Sequence, residues 1–255
     1  MRLTLIGGPT VLIEIAGWRI LTDPTFDDAG RTYRFGWGTS SRKVTGPALG
    51  ADDIGPVDLI LLSHDHHADN LDDSGRSVLN RAATVVTTTP AAQRLSSPNA
   101  VGLKNWETTV VTGDARPPLR VTATPCRHGP RFSGPVTGTV NGFAVRVGAQ
   151  QRVALWMTGD TVLYDGVRSV AAQMDIEVVL VHCGAVRFGR TGPIRYSMSG
   201  RDAAELIATV GPRVAVPVHY EGWSHFSERE DALRRSLQPV SDLIHWLPRG
   251  LPRQI

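Results

Sequence analysis

Residues Leu59–Asp72 read LILLSHDHHADNLD, and this stretch decides the fold. A strand is expected over Val57–Leu62, apolar but for Asp58, the pattern of a strand covered on both faces. Directly after it come His64, Asp65, His66, His67, Asp69 and Asn70. Imidazoles and carboxylates crowded at the end of a covered strand point to metal ligands on a sheet edge. In extended chain, residues i and i+2 share a face. His64 and His66 can therefore grip one cation, and Asp69 and Asn70, past the turn, can face a second.

Working outward, the same pattern recurs. ALWMTG leads to Asp160, VVLV to His182 and VAVPV to His219, while VTATPCR leads to His128. A single histidine at a strand end is ordinarily a satisfied polar residue. Several beside a His-x-His are not independent accidents, because strand ends converge on one edge of a sheet. Asp160 follows a glycine, and a carboxylate exposed by such a turn can bridge two cations. The mix of imidazole and carboxylate favours zinc, manganese or iron over calcium or magnesium.

The rest of the chain supplies the scaffold. Residues 2–22 alternate apolar and polar in three short runs, a β-meander that stops at Pro24. Residues 25–56 lack a period and carry Phe26, Tyr33, Phe35 and Trp37, so they read as a substrate lid or a surface excursion. Strands are expected at Thr84–Thr88, Thr108–Thr112, Leu119–Thr124, Ile176–Val181, Arg213–Val218 and Leu243–Leu247, with a hairpin from 138–147 to 152–158. Helices are expected from Pro90, over Asp165–Met174, from Ser199-x-x-Asp202 through Val210, and after Ser227-x-x-Glu230; the last two carry capping-box spacing. Strands first, then strands alternating with helices, indicate an α/β fold with two sheets packed together and helices outside, in a single domain over 1–255.

Composition narrows the function classes. The 255 residues are 41% hydrophobic and 20% charged, with a net charge of +3. Lysine supplies only Lys43 and Lys104 of the 27 basic residues, and the arginines are scattered, so no nucleic-acid patch is expected. Two cysteines, Cys126 and Cys183, imply free thiols rather than a disulfide framework. The N-terminus is too interrupted by Gly7, Gly8, Pro9, Glu14, Gly17 and Arg19 for a signal peptide or membrane span. A cytoplasmic protein is the expectation, with homo-oligomerisation left open.

SHDHHADNLD resembles the His-x-His-x-Asp-His signature of the metallo-β-lactamase superfamily, and TPCR-His128, TG-Asp160 and VPV-His219 follow in that superfamily's order. TVLIEIAGWRILTDPTF and GPALGADDIGPVDLILLSHDH are similar to the branch of L-ascorbate-6-phosphate lactonase and the N-acyl-phosphatidylethanolamine-hydrolysing phospholipase D. The resemblance spans about residues 3–226. It implies an αββα sandwich of two mixed sheets, face to face, with a two-metal site between them. It also implies that His64, His66 and His128 hold one metal, that Asp160 bridges, and that His219 holds the second with the acidic end of the first motif.

The chain departs from the signature at that acidic end. Read without a gap, Asp69 replaces the second-metal histidine and the motif aspartate is lost. Read with one inserted residue, Asp69-Asn70-Leu71-Asp72 matches Asp-His-Leu-Asp, Asn70 replaces the histidine, and His67 stands in for His66. The inserted register keeps the carboxylate and the Leu-Asp step and is preferred.

The activity so implied is metal-dependent hydrolysis of an ester, lactone or phosphodiester in a small molecule, with zinc, manganese or iron in one or two sites and Asp69 and Asp160 at the reacting centre. Arg127 and Arg131 are candidate grips for an anionic substrate. His182, Tyr220, Trp223 and His225 are candidate pocket residues, and His245 is read as core or surface. A thiol near zinc can lose its proton, which makes Cys126 a further candidate. Two other readings compete. An amidohydrolase barrel also uses His-x-His, but on its first strand, and it needs eight β/α units. A non-hydrolytic metal-binding protein with a degenerate site is kept in view by Ala68-Asp69.

Overall fold

A computed structural model describes residues 1–255. In chain order the strands are β1 (Arg2–Gly7), β2 (Thr10–Ile15), β3 (Trp18–Thr22), β4 (Thr32–Gly36), β5 (Thr39–Arg42), β6 (Leu59–Leu61), β7 (Thr84–Thr88), β8 (Ala100–Leu103), β9 (Thr108–Val111), β10 (Leu119–Pro125), β11 (Asn141–Val147), β12 (Val153–Met157), β13 (Ile176–His182), β14 (Val214–Val218) and β15 (Arg253–Gln254). The α-helices are α1 (Asp73–Leu79), α2 (Thr89–Leu95), α3 (Gly134–Thr137), α4 (Asp165–Gln173), α5 (Gly200–Val210) and α6 (Glu230–Ser236).

Two mixed sheets form the body, ordered β15-β1-β2-β3-β6-β7-β8 and β14-β13-β12-β11-β10-β9. Alternation of side chains along each strand decides which layer they enter. Leu59 and Leu61 enter the interior between the sheets, in one cluster with Val121, Phe143, Leu155, Val178 and Leu180, while Ile60 between them points outward to Val78 and Leu79 of α1. In β13, Val178 and Leu180 face inward, and Val179 and Val181 pack under α4, α5 and α6 through Val170, Leu206 and Leu233. The layers are therefore helix, sheet, sheet, helix. Each such Leu, Val or Phe, fully buried, stabilises the fold by about 1.5–3 kcal/mol.

The sandwich agrees with the sequence-based expectation and leaves no room for an eight-stranded barrel. The capping box at Ser199 is present: its side chain accepts from Asp202 N–H, and Asp202 reaches back to Ser199 N–H. Three local expectations need correction. The Ser227 hydroxyl donates to the Ala185 carbonyl at 2.5 Å instead of capping α6, which begins after Arg229. Leu243–Leu247 makes one bridge, Ala215 to Ile244, and the closing strand is β15, which pairs with β1. Residues 25–56 contain the hairpin β4–β5, whose Tyr33 and Phe35 are buried between exposed neighbours.

No helix is long and apolar enough to cross a membrane.

Candidate metal centre

The site lies where β6, β10, β12 and β14 end. β6 stops at Leu61, and the chain then turns; Asn70 and Leu71 N–H both donate to the His67 carbonyl, at 3.1 and 2.9 Å. Because 63–71 is turn rather than strand, the extended-chain rule does not govern there, and residues three apart come together as well as residues two apart. His67 Nδ1 lies 3.1 Å from His64 Nε2 and 3.1 Å from His128 Nε2. His66 takes another path. Its Nε2 meets the Thr137 carbonyl, and its ring fills the space that a Cβ on Gly138, at φ +65°, would need. His66 also keeps a ligand atom within 4.8 Å of those of His64 and His67, so these three could hold a cation too, and its Nδ1 is buried without a partner.

A second group forms beside the first. His219 Nδ1 is 3.1 Å from Asp160 Oδ1, and His219 Nε2 is 3.3 Å from Asp69 Oδ2. Asp160 is presented by Gly159 at φ +66°, where any Cβ would sit 2.6 Å from the Asn141 carbonyl. His219 itself has φ +57°, a left-handed conformation rare for non-glycine residues that stores strain of about 1–3 kcal/mol. Its N–H donates to the Gly8 carbonyl at 2.9 Å, tying the turn to the opposite sheet.

Outer partners fix the ligand atoms. The Ser63 hydroxyl donates to Asp23 Oδ2 at 2.9 Å, so it accepts from His64 Nδ1–H at 2.9 Å. That tautomer leaves His64 Nε2 free. His128 Nδ1–H donates to the Tyr196 carbonyl at 2.6 Å with the same result. His225 Nε2–H donates to Asp69 Oδ2 at 3.0 Å, and its Nδ1 meets Ser41 Oγ at 2.5 Å. Asn70 Nδ2 donates to Asp160 Oδ2 at 3.0 Å. Such outer contacts orient ligands and set their protonation. Asp72, which ends the motif, has no part in the cluster. It caps α1, accepts from Phe26 and Asp27 N–H, and pairs with buried Lys43 at 2.7 Å.

Burial sets the electrostatics. It lowers the proton affinity of His64 and His67 well below the usual value, helped by the neighbouring imidazoles. It brings His128 and His219 to about 4, against the opposing pull of the Tyr196 carbonyl and of Asp69. Burial alone would raise Asp69, but His219 and His225 hold it well below the carboxylate range. Burial raises Asp160, with the charges of Asp69 and Asp23 adding to it. Neutral imidazoles and an ionised carboxylate are the forms that bind metal.

The residues fit a cation. Asp69 Oδ1, Asp160 Oδ1, Asn70 Oδ1 and both His219 nitrogens are buried without hydrogen-bond partners, although His219 and its carboxylates are in near contact. Each such atom costs about 1–3 kcal/mol if nothing satisfies it. His64, His128 and Asp160 lie within reach of one cation, and Asp69, Asp160 and His219 within reach of another, with Asp160 common to both.

Other expected residues lie elsewhere. The Arg127 guanidinium stacks 4.4 Å above Tyr164, and Arg131 covers exposed Phe132 at 5.8 Å; neither lines the cavity at the site, because each is drawn to an aromatic face outside it. Tyr220 is buried against Trp246 beneath the helices of the second sheet. Trp223 packs behind Phe35, its ring 5.9 Å away, whereas His182 stands directly behind the site, 3.4 Å from Asp23 and with its ring 5.6 Å from that of His219. The Cys126 thiol donates to the Thr158 carbonyl at 3.0 Å, and burial pushes its pKa well above the ordinary value, so it is no thiolate. His245 donates its N–H to the Ala215 carbonyl, far from the cluster in the fold.

Sequence reasoning misses the orienting pair Asp23 and Ser63, and Phe188 and Tyr196 of the aromatic wall. Asp23 carries a readable signal, since Thr22-Asp23-Pro24 ends a strand on the same edge. Of the wall, only Phe35 is signalled, by the aromatic richness of residues 25–56.

The beta-lactamase superfamily domain matches residues 18–220. A UPF0173 metal-dependent hydrolase of Carboxydothermus hydrogenoformans is 28% identical over 88% of this chain and 86% of its own. One from Caldivirga maquilingensis is 24% identical over 92% and 89%. Among solved structures, an isothiocyanate hydrolase from Delia radicum gut bacteria superposes with a TM-score of 0.82 at 18% identity, covering 100% of this chain and 99% of the other. Igni18, a metallo hydrolase of Ignicoccus hospitalis, does so with a TM-score of 0.72 at 15% identity over 100% and 98%. At these identities the structural likeness bears on the fold.

Proposed function

The chain belongs to the beta-lactamase superfamily, and from that premise we propose that it is a metal-dependent hydrolase of a small-molecule ester, lactone or phosphodiester. The observation that carries this reading is the set of buried, unpartnered oxygen and nitrogen atoms on Asp69, Asp160 and His219 beside three neutral imidazoles. The relatives named as metal-dependent hydrolases support it.

In this reading His64, His67 and His128 would hold one divalent cation and Asp69 and His219 a second, with Asp160 within reach of either. Zinc suits the donor set, and manganese or iron are the alternatives. A cation held there supplies Lewis-acid polarisation of the scissile group and activates water as a nucleophile at neutral pH. The chain supplies the rest. Asp23 and Ser63 hold the His64 ring so that Nε2 faces the site, and the Tyr196 carbonyl does the same for His128. His225 takes Asp69 Oδ2, which leaves the buried Oδ1 without a partner and free to serve the site. Phe35 and Phe188 pack against His225 and keep bulk water from that side.

The test is elemental analysis of protein purified without chelators, paired with hydrolysis of lactone, thioester and phosphodiester probes. The proposal expects at least one metal per chain and chelator-sensitive turnover. Substoichiometric metal with no turnover of any probe would overturn it.

A further inference from the structure

A narrow cavity, partly open to solvent, ends on His67, Asp69 and His128. Its walls come from three separate loops: Phe35 and Trp37 from β4–β5, Val136 from α3, and Val186, Phe188 and Tyr196 from the segment after β13. Their rings touch one another and the ligand rings. Phe35 stands 5.5 Å from His67 and 5.4 Å from Phe188, and Tyr196 stands 6.0 Å from His128. Trp37, 67% exposed at the tip of the hairpin, extends this wall to the mouth. The remaining lining residues are glycine and threonines, and Asp69 is the one lining side chain that carries full charge.

No lysine or arginine lines this cavity. Arg187 and Arg190 border a different, open cleft beyond Thr39 and Phe188. A carboxylate or phosphate on the non-reacting part of a substrate would thus lose its water to aromatic rings, with no lysine or arginine in the lining to pair with it. An aryl or alkyl group would exchange water for ring faces and gain about 25 cal/mol per Å² of apolar surface removed from water.

We propose that the cavity receives an uncharged aryl or alkyl arm, so that the substrate class is a small apolar ester or lactone and not a sugar phosphate or other anionic metabolite. This rests on the hydrolase reading above, and it replaces the anionic substrate suggested by Arg127 and Arg131.

The experiment keeps the reactive head constant and varies the arm. Metal-loaded protein is assayed with the p-nitrophenyl esters of acetic, phenylacetic and succinic acid, the last carrying a free carboxylate. The expected kcat/KM for the phenylacetate is about tenfold or more above the acetate, with the hemisuccinate below both. Phe188→Ala should cut the phenylacetate-to-acetate ratio about fivefold. In parallel, saturation-transfer NMR on the same protein compares phenylacetamide with succinamate. Binding of phenylacetamide alone supports the proposal, even where no ester is turned over, and in that case only the ester-hydrolase reading fails. A hemisuccinate turned over as well as the phenylacetate, or succinamate binding as well as phenylacetamide, would overturn it. A Phe188→Ala protein that stays folded by circular dichroism yet keeps the full ratio would also overturn it.

Discussion

The two halves of the metal centre are built differently. The imidazole half, His64, His67 and His128, is assembled from one turn and one strand end, and two of its three rings have their outer nitrogens anchored on Ser63 and Tyr196. The carboxylate half, Asp69, Asp160 and His219, keeps buried oxygens and nitrogens unsatisfied and places its histidine in a left-handed conformation. Asn70, which replaces a second imidazole in the inserted register of the signature, donates to Asp160. The first half is preorganised; the second would gain partners for its unsatisfied atoms from a cation. The first should therefore bind metal more tightly, and loss of metal should loosen the second.

The largest expected effect falls on the first half. His67→Ala or His128→Ala removes one of three neutral nitrogens and should weaken the tighter metal on the order of 10³-fold, read by competition with a chromogenic chelator. Asp69→Ala should leave that metal in place and reduce total content toward one per chain by elemental analysis. A next, smaller effect comes from the orienting groups. Ser63→Ala should weaken the first metal, and His225→Ala the second, each by about 10–100-fold, and titration of each variant distinguishes the two halves. The smallest effect belongs to His66→Ala, which should leave both metals bound and cost about 1 kcal/mol of stability through the lost contact with Thr137, measured by denaturant unfolding.

That contrast between adjacent histidines also marks the limit of reading this chain as a sequence. The sandwich is legible because alternation in residues 2–22 and buried runs such as Ile176–Val181 carry the sheet period, and because Ser199-x-x-Asp202 announces a helix with its own cap. The convergence of His64, His128, Asp160 and His219 is legible because each follows an apolar strand. His66 and His64 do lie together, but for another reason than the one read from the sequence: β6 ends at Leu61, before the histidines, so a turn and not extended-chain spacing brings them close. The turn brings both histidines of the two registers beside His64, His67 Nδ1 at 3.1 Å from its Nε2 and His66 in the same group. The β4–β5 hairpin is hidden because Tyr33 and Phe35 alternate over only five residues, and the closing strand because its two residues are exposed and held by pairing with β1. The arginines mislead because proximity in sequence to His128 says nothing of direction, and Tyr164 and Phe132 offer ring faces outside the cavity.

The most direct test of a centre built on His67 is an anomalous difference map from a crystal soaked in zinc. The account predicts a peak about 2.0–2.1 Å from His64 Nε2, His67 Nδ1 and His128 Nε2, with His66 still turned to Thr137. A peak bound by His66, with His67 turned away, would contradict it.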